Sequence, residues 1–279
     1  MESLVSTEWL AGELGADDLR VVDASLFLPA QGRDARAEYE AAHIPGALFL
    51  DLASLADSDS HLPNMLPPAE KFASRMQSLG IGDGARVVIY DNTPLHTSAR
   101  AWWVMRTFGA SQVAILDGGF AKWTAEGRPT ESGRPHNRHG HFTPLKDDQA
   151  AVDKDFMLAN LDAATHQVLD ARPADRFAGG GVDPHGVPSG HIPGAKNLPQ
   201  DRLFNADNTF KRGAALQAEF DSADVDLDKP LVASCGSGVT ACTVLFGAHL
   251  LGKDGGRLYD GSWSEWGADP ATPKATTTA

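Results

Sequence analysis

The chain repeats itself, and that constrains its architecture more than any other feature. Val21-Val22-Asp23-Ala24 returns as Val168-Leu169-Asp170-Ala171, and His43-Ile44-Pro45-Gly46-Ala47 as His191-Ile192-Pro193-Gly194-Ala195. Leu116-Asp117-Gly118-Gly119 with Trp123 returns as Tyr259-Asp260-Gly261-Ser262 with Trp266. The offsets are 170 − 23 = 147, 191 − 43 = 148 and 260 − 117 = 143. Three segments in one order at a nearly constant offset are a duplication, and the period is that of whole domains, not solenoid units. The length of 279 residues has room for two domains at roughly 150 each. Residues 1–126 and 152–267 read as the two copies. The Gly-, Pro-, His- and Arg-rich stretch 127–151 reads as a linker, and the small, Thr/Pro-rich stretch 268–279 as a flexible tail.

Inside each copy, short apolar runs alternate with helical patterns. Residues 20–24, 87–90 and 113–116 predict strands in the first copy; 167–170, 230–234 and 257–259 predict their partners. Near-continuous apolar strands belong to a sheet covered on both faces, and strand–helix alternation makes it mostly parallel. The expected fold is therefore α/β: two tandem domains, each a mostly parallel central sheet with helices on both faces. Ligands of such sheets sit at the carboxyl ends of the strands.

Composition removes several partners. Lys and Arg number 24 against 37 Asp and Glu, a net charge of −13, with an isoelectric point near 5.1. That opposes non-specific binding to nucleic acid or to anionic membranes. Two cysteines, Cys235 and Cys242, are too few for a disulfide scaffold or a Cys-based zinc ribbon. Met1 to Leu10 has neither a basic region nor a long apolar core and reads as a helix opening, so a cytoplasmic location is expected. His136, His139 and His141 lie in the linker without a Cys or a metal-ligand spacing, and no metal is expected.

The strand-end rule selects one loop. The second strand run of the second copy leads into Cys235-Gly236-Ser237-Gly238-Val239-Thr240; that of the first ends at Tyr90-Asp91. The offset 235 − 91 = 144 places Cys235 where the first copy has Asp91. One copy is expected to be active and the other supporting. Two glycines let the loop curl into a nest of N–H groups, and the helix that Thr240 opens adds partial positive charge. A sulfur there is expected as a thiolate nucleophile, with Ser237 and Thr240 as further donors. An inert packing thiol is the alternative, but a strand-end glycine loop is a poor place for one. Cys242, inside an apolar segment, reads as core. A nucleotide-binding P-loop requires Lys before Ser/Thr, and Val239 stands there. A cysteine phosphatase requires Arg at the sixth position after Cys, where this chain has Ala241.

These residues resemble the rhodanese superfamily in its two-domain sulfurtransferase form. The resemblance runs from about Trp9 to Trp266 and rests on motifs in both copies. These are Gly32-Arg33-Asp34-Ala35-Arg36, both His-Ile-Pro-Gly-Ala segments, Ala101-Trp102-Trp103, Asp170-Ala171-Arg172, Arg176-Phe177 and Tyr259 to Trp266. The loop resembles that of the superfamily members that use 3-mercaptopyruvate. Thiosulfate-using members usually carry basic residues where Gly236 and Ser237 stand. The resemblance implies ping-pong transfer through a Cys235 persulfide without a cofactor. Pyruvate leaves, and a thiol (a small one or thioredoxin) or cyanide accepts the sulfur, at a site facing the cleft between the domains. Alternatives are a thiosulfate:cyanide sulfurtransferase and a low-turnover sulfur carrier or regulatory module. Arg176 matches a substrate-binding Arg, and Arg172 is either a substrate contact or the salt-bridge partner of Asp170.

Two departures stand out. A second substrate Arg is replaced by His185, whose charge depends on pH. A first-copy His proposed to assist a Ser is replaced by Asn64, which cannot act as a base; His61 is a nearby substitute, and Ala53 stands where the relay's carboxylate would be. His43 and His191, matched in both copies, read as structural hydrogen-bonders, and the Trp residues mostly as packing.

Overall fold

The strand runs read in each copy form the middle of two five-stranded sheets. The computed structural model describes residues 1–135 and 137–277; His136, Thr278 and Ala279 lie outside the described residues. The first sheet holds β1 (Leu4–Val5), β2 (Leu19–Asp23), β3 (Leu48–Phe49), β4 (Arg86–Tyr90) and β5 (Val113–Leu116) in the order β1-β5-β4-β2-β3. The second holds β6 (Ala151–Val152), β7 (Gln167–Asp170), β8 (Lys196–Asn197), β9 (Leu231–Ser234) and β10 (Arg257–Tyr259) in the order β6-β10-β9-β7-β8. The two orders are the same topology. Every pairing is parallel. Helices flank each sheet, as the crossovers of parallel strands require, and the middle strands are buried along almost their whole length.

The register aligns the carboxyl ends. Asp23 lies opposite Tyr90 in the first sheet and Asp170 opposite Ser234 in the second. Asp91 and Cys235 are therefore the first residues beyond the central strands of their sheets. The helices that follow, Ser98–Thr107 and Ala241–Leu250, are buried over nearly every residue. The second is apolar on all sides, which suits a core helix and no surface one. Cys242 sits in it fully buried, donating to the Gly238 carbonyl at 3.4 Å. Side-chain caps begin other helices: Ser6 accepts from the Trp9 amide at 3.1 Å and Asp153 from the Phe156 amide at 2.8 Å.

The chain separates into two compact units. The first is Met1–Ser58, Leu66–Asp147 and Ala206–Thr209; the second is Asp59–Met65, Asp148–Asn205 and the chain from Phe210 on. The short stretch 59–65 lies within the first sequence copy but packs as part of the second unit.

The expected linker and tail need correction. After each copy's last helix the chain returns as a strap across its own domain. Trp123 Nε1 donates to the Pro129 carbonyl at 2.8 Å, and Trp266 Nε1 to that of Pro273 at 2.8 Å. Glu131 then bridges antiparallel to His43, and Ala275 to His191. The offsets 273 − 129 = 144 and 275 − 131 = 144 show that the straps are duplicated too. Residues 268–277 are therefore tied down by backbone pairing. Most of 127–147 is likewise fastened to the first unit, and Ala151 already lies in β6. The two histidines serve this arrangement. His43 Nδ1 bonds the Tyr39 carbonyl at 2.7 Å, and His191 Nδ1 bonds that of Phe177 at 2.8 Å, each ring stacked on the same aromatic.

Candidate active site

The loop after β9 is held from one side and left open on the other. The Cys235 amide donates to Ser262 Oγ at 3.1 Å, and that hydroxyl donates to the Tyr259 carbonyl at 2.8 Å. The Cys235 and Gly236 carbonyls accept from the amides of Trp263 and Ser264 at 3.0 and 2.8 Å. The short helix Ser262–Trp266 thus grips the loop by its carbonyls. Among the described residues, the amides of Gly236, Ser237, Val239 and Thr240 meet no acceptor. Gly238, at φ +75°, makes the curl that only glycine adopts readily. Cys235 is 1% exposed, and residues 236–239 are buried around it. Buried amides without partners are costly, and a curled loop that groups them is an anion receptor.

The first copy supplies an internal control. Asp91 stands at the same place beyond β4 and fills its own loop. Its carboxylate accepts from the Thr93 amide at 3.2 Å and from the Ser98 amide, at the start of the following helix, at 2.8 Å. Where the first copy places a carboxylate, the second has a sulfur and leaves the donors unused.

His185 lies over this loop. A Cβ added to Gly236 would come within 2.7 Å of His185 Cε1. The ring is fixed by Asp183, whose Oδ1 accepts from both the His185 amide and Nδ1 at 2.9 Å. The Asp183 side chain is fully buried. Burial alone would raise its pKa, but the hydrogen bonds from the His185 side chain and amide, with the nearby Arg176 charge, more than offset this and hold it below the usual carboxylate range. Arg176 Nη1 lies 3.6 Å from Asp183 Oδ2 and remains partly exposed. Arg172 is fully enclosed: Nε and Nη2 bond Asp170 at 2.6–3.0 Å, Nη2 also bonds the Gly190 carbonyl at 2.6 Å, and the guanidinium sits 4.4 Å over the Trp263 ring. The structure makes it the buried salt-bridge partner of Asp170.

Asn64 Nδ2 donates to Ser237 Oγ at 3.0 Å. His61 makes no hydrogen bond among the described residues. It lines a pocket of ≈ 570 Å³ with Lys154, His185, Ser264, Glu265 and Asp269. Ser264 binds the Gly236 carbonyl through its amide, so this pocket abuts the loop. The described residues contain no group of three or more His, Cys, Asp or Glu able to hold a metal, and no helix among them is long and apolar enough to cross a membrane.

Comparison with known proteins places this geometry. The rhodanese-like domain model matches residues 6–126 and again 153–269. The chain is 43% identical to mouse 3-mercaptopyruvate sulfurtransferase over 271 residues, covering 95% of this chain and 91% of that protein. The chain belongs to the rhodanese-like sulfurtransferases. Chicken thiosulfate sulfurtransferase is 40% identical, covering 95% of this chain and 93% of its own. The solved structure of SseA from Escherichia coli, described as a 3-mercaptopyruvate sulfotransferase, superposes with a TM-score of 0.87 at 38% identity, covering 94% of this chain and 99% of that one. Both donor types thus occur among similar members of the family.

Two residues that shape the loop were not singled out in the sequence. Ser262 anchors the Cys235 amide, and its signal was weak: it merely replaces Gly119 in the repeat. Asp183 orients His185, and the Asp-Pro-His spacing, which puts a carboxylate two residues before the amide it caps, carried that information.

Proposed function

We propose that this chain transfers a sulfur atom from 3-mercaptopyruvate to a thiol, with Cys235 as the nucleophile. The observation that carries the reading is the buried Cys235 at the head of a loop with four uncommitted amides, in the place that Asp91 fills with its own carboxylate in the first copy. The Cys235 thiolate attacks the donor's sulfur. A sulfur–sulfur bond forms, the carbon–sulfur bond breaks, and its electron pair stays on carbon as the pyruvate enolate, which then takes a proton. The outer sulfur of the persulfide rests against the amides of Gly236, Ser237, Val239 and Thr240 and the Ser237 hydroxyl. An acceptor thiolate attacks that sulfur and releases Cys235. Preorganised donors of this kind favour charge as it develops. Arg176, partly exposed beside the Asp183 carboxylate that fixes His185, receives the donor's carboxylate.

The choice of donor follows from what stands beside the sulfur. Gly236 and Ser237 bring no cation, and the His185 ring leaves no room for a side chain at position 236. A monoanion suits this loop better than the thiosulfate dianion. The test is a paired assay: pyruvate release from mercaptopyruvate with a thiol acceptor, beside thiocyanate formation from thiosulfate with cyanide. A preference for mercaptopyruvate that vanishes in Cys235→Ser is expected. A preference for thiosulfate, or activity surviving in Cys235→Ser, overturns the reading.

A further inference from the structure

We propose that the Asp183–His185 pair is the acid–base of the donor step, His185 moving the proton and Asp183 positioning it. Four observations meet at this pair. Its carboxylate is fully buried and bonds His185 Nδ1 at 2.9 Å. An ionised carboxylate only accepts, so Nδ1 carries a proton and Nε2 of the neutral ring offers a lone pair. The ring lies on Gly236, the residue next to Cys235, with Nε2 3.7 Å from where a Cβ would stand. Among the described residues Nε2 has no partner, and the ring lines the pocket that abuts the loop. Asn64, the side chain on Ser237, has no basic nitrogen and cannot do this work.

The proton count defines the task. The donor enters as HS–CH2–CO–COO⁻ and leaves as CH3–CO–COO⁻. As the Cys235 sulfur bonds the donor sulfur and the carbon–sulfur pair moves to carbon, Nε2 takes the proton from the transferred sulfur and returns it to that carbon. Cys235 is left as a persulfide anion, and His185 is neutral again. Thiosulfate differs: its outer sulfur carries no proton, and sulfite leaves with the bonding pair without needing one. The groups that bear on the His185 charge are Asp183, with Arg172 and Arg176 behind it, and His61, Lys154, Glu265 and Asp269 around the pocket. Lys154 and Asp269 are paired with each other at 2.6 Å.

This inference rests on the mercaptopyruvate reading, and single-turnover donor reactions separate the two. His185→Gln is expected to slow pyruvate release by about 10²-fold or more, the usual worth of a placed acid–base, and to flatten its pH profile. Persulfide formation from thiosulfate, followed as sulfite release, slows at least tenfold less than pyruvate release does. Added imidazole restores pyruvate release to His185→Gly. Equal slowing with both donors, a rise in KM alone, or no rescue by imidazole overturns the inference and leaves His185 a structural or binding residue. A wild-type protein that yields no pyruvate rejects the donor reading itself.

Discussion

Replacing Asp23 with Asn should stabilise the first unit, by an amount that depends on pH. Asp23 ends β2 and is only 4% exposed. Its Oδ1 accepts from the Ser25 amide at 2.8 Å, yet burial dominates and pushes its pKa up to about 6, against hydrogen bonds from Ser25 and Tyr90. An acid whose folded pKa is raised binds its proton more tightly in the native state. Its contribution is most favourable below the unfolded value of 3.8 and is lost as pH rises through about 6. The gap 6 − 3.8 = 2.2 corresponds to about 3 kcal/mol at 1.36 kcal/mol per pH unit. Asn keeps an acceptor oxygen and removes the charge. The Asn variant should match wild type at about pH 4 and exceed it by up to about 3 kcal/mol at about pH 7.5. Urea unfolding read by hydrogen exchange in β2 and β4 localises the effect. It also avoids heating near the isoelectric point of about 5.1, where low net charge favours precipitation. A difference between the two proteins that does not change with pH, or that favours wild type at neutral pH, refutes the argument.

Three further outcomes follow from the second unit. Gly236→Ala places a Cβ 2.7 Å from His185 Cε1; overpacking of this kind costs roughly 1–3 kcal/mol, and most of that cost should disappear in a His185→Ala background, as a double-mutant cycle in urea would measure. Arg172→Ala leaves Asp170 buried without its cation and should cost about 3–5 kcal/mol, visible as a lowered urea midpoint. Arg176→Ala should raise KM for mercaptopyruvate by roughly tenfold, the loss of one charged contact worth about 1.5 kcal/mol, with the midpoint nearly unchanged; steady-state kinetics would expose a purely structural role as the reverse pattern.

The duplication made the fold legible. Six strand runs read from apolar residues match the six inner strands to within a residue at most ends. The four edge strands β1, β3, β6 and β8 have two residues each, too few to carry a period, and their pairing depends on partners distant in sequence. The straps escape a reading of the sequence for a related reason. Pro129, Glu131, Pro273 and Ala275 act through backbone carbonyls and amides, which composition does not register. The strand-end loop was legible because glycines, a thiol and a helix opening adjoin in sequence. The placement of His185 on Gly236 was not, because it joins residues 51 positions apart (236 − 185) through an absence of side chain. Nor could the sequence tell that 59–65 packs with the second unit and brings Asn64 to Ser237.

The central claim is that Cys235 carries the sulfur taken from mercaptopyruvate. Its most direct test is mass spectrometry of the protein after one equivalent of mercaptopyruvate, without acceptor and with the peptide containing Cys235 resolved from contamination by Cys242. The account predicts a gain of one sulfur atom on Cys235, matched by one pyruvate, lost when a thiol is added and never formed in Cys235→Ser. Pyruvate released with Cys235 unmodified, or the added sulfur found on Cys242, would contradict it.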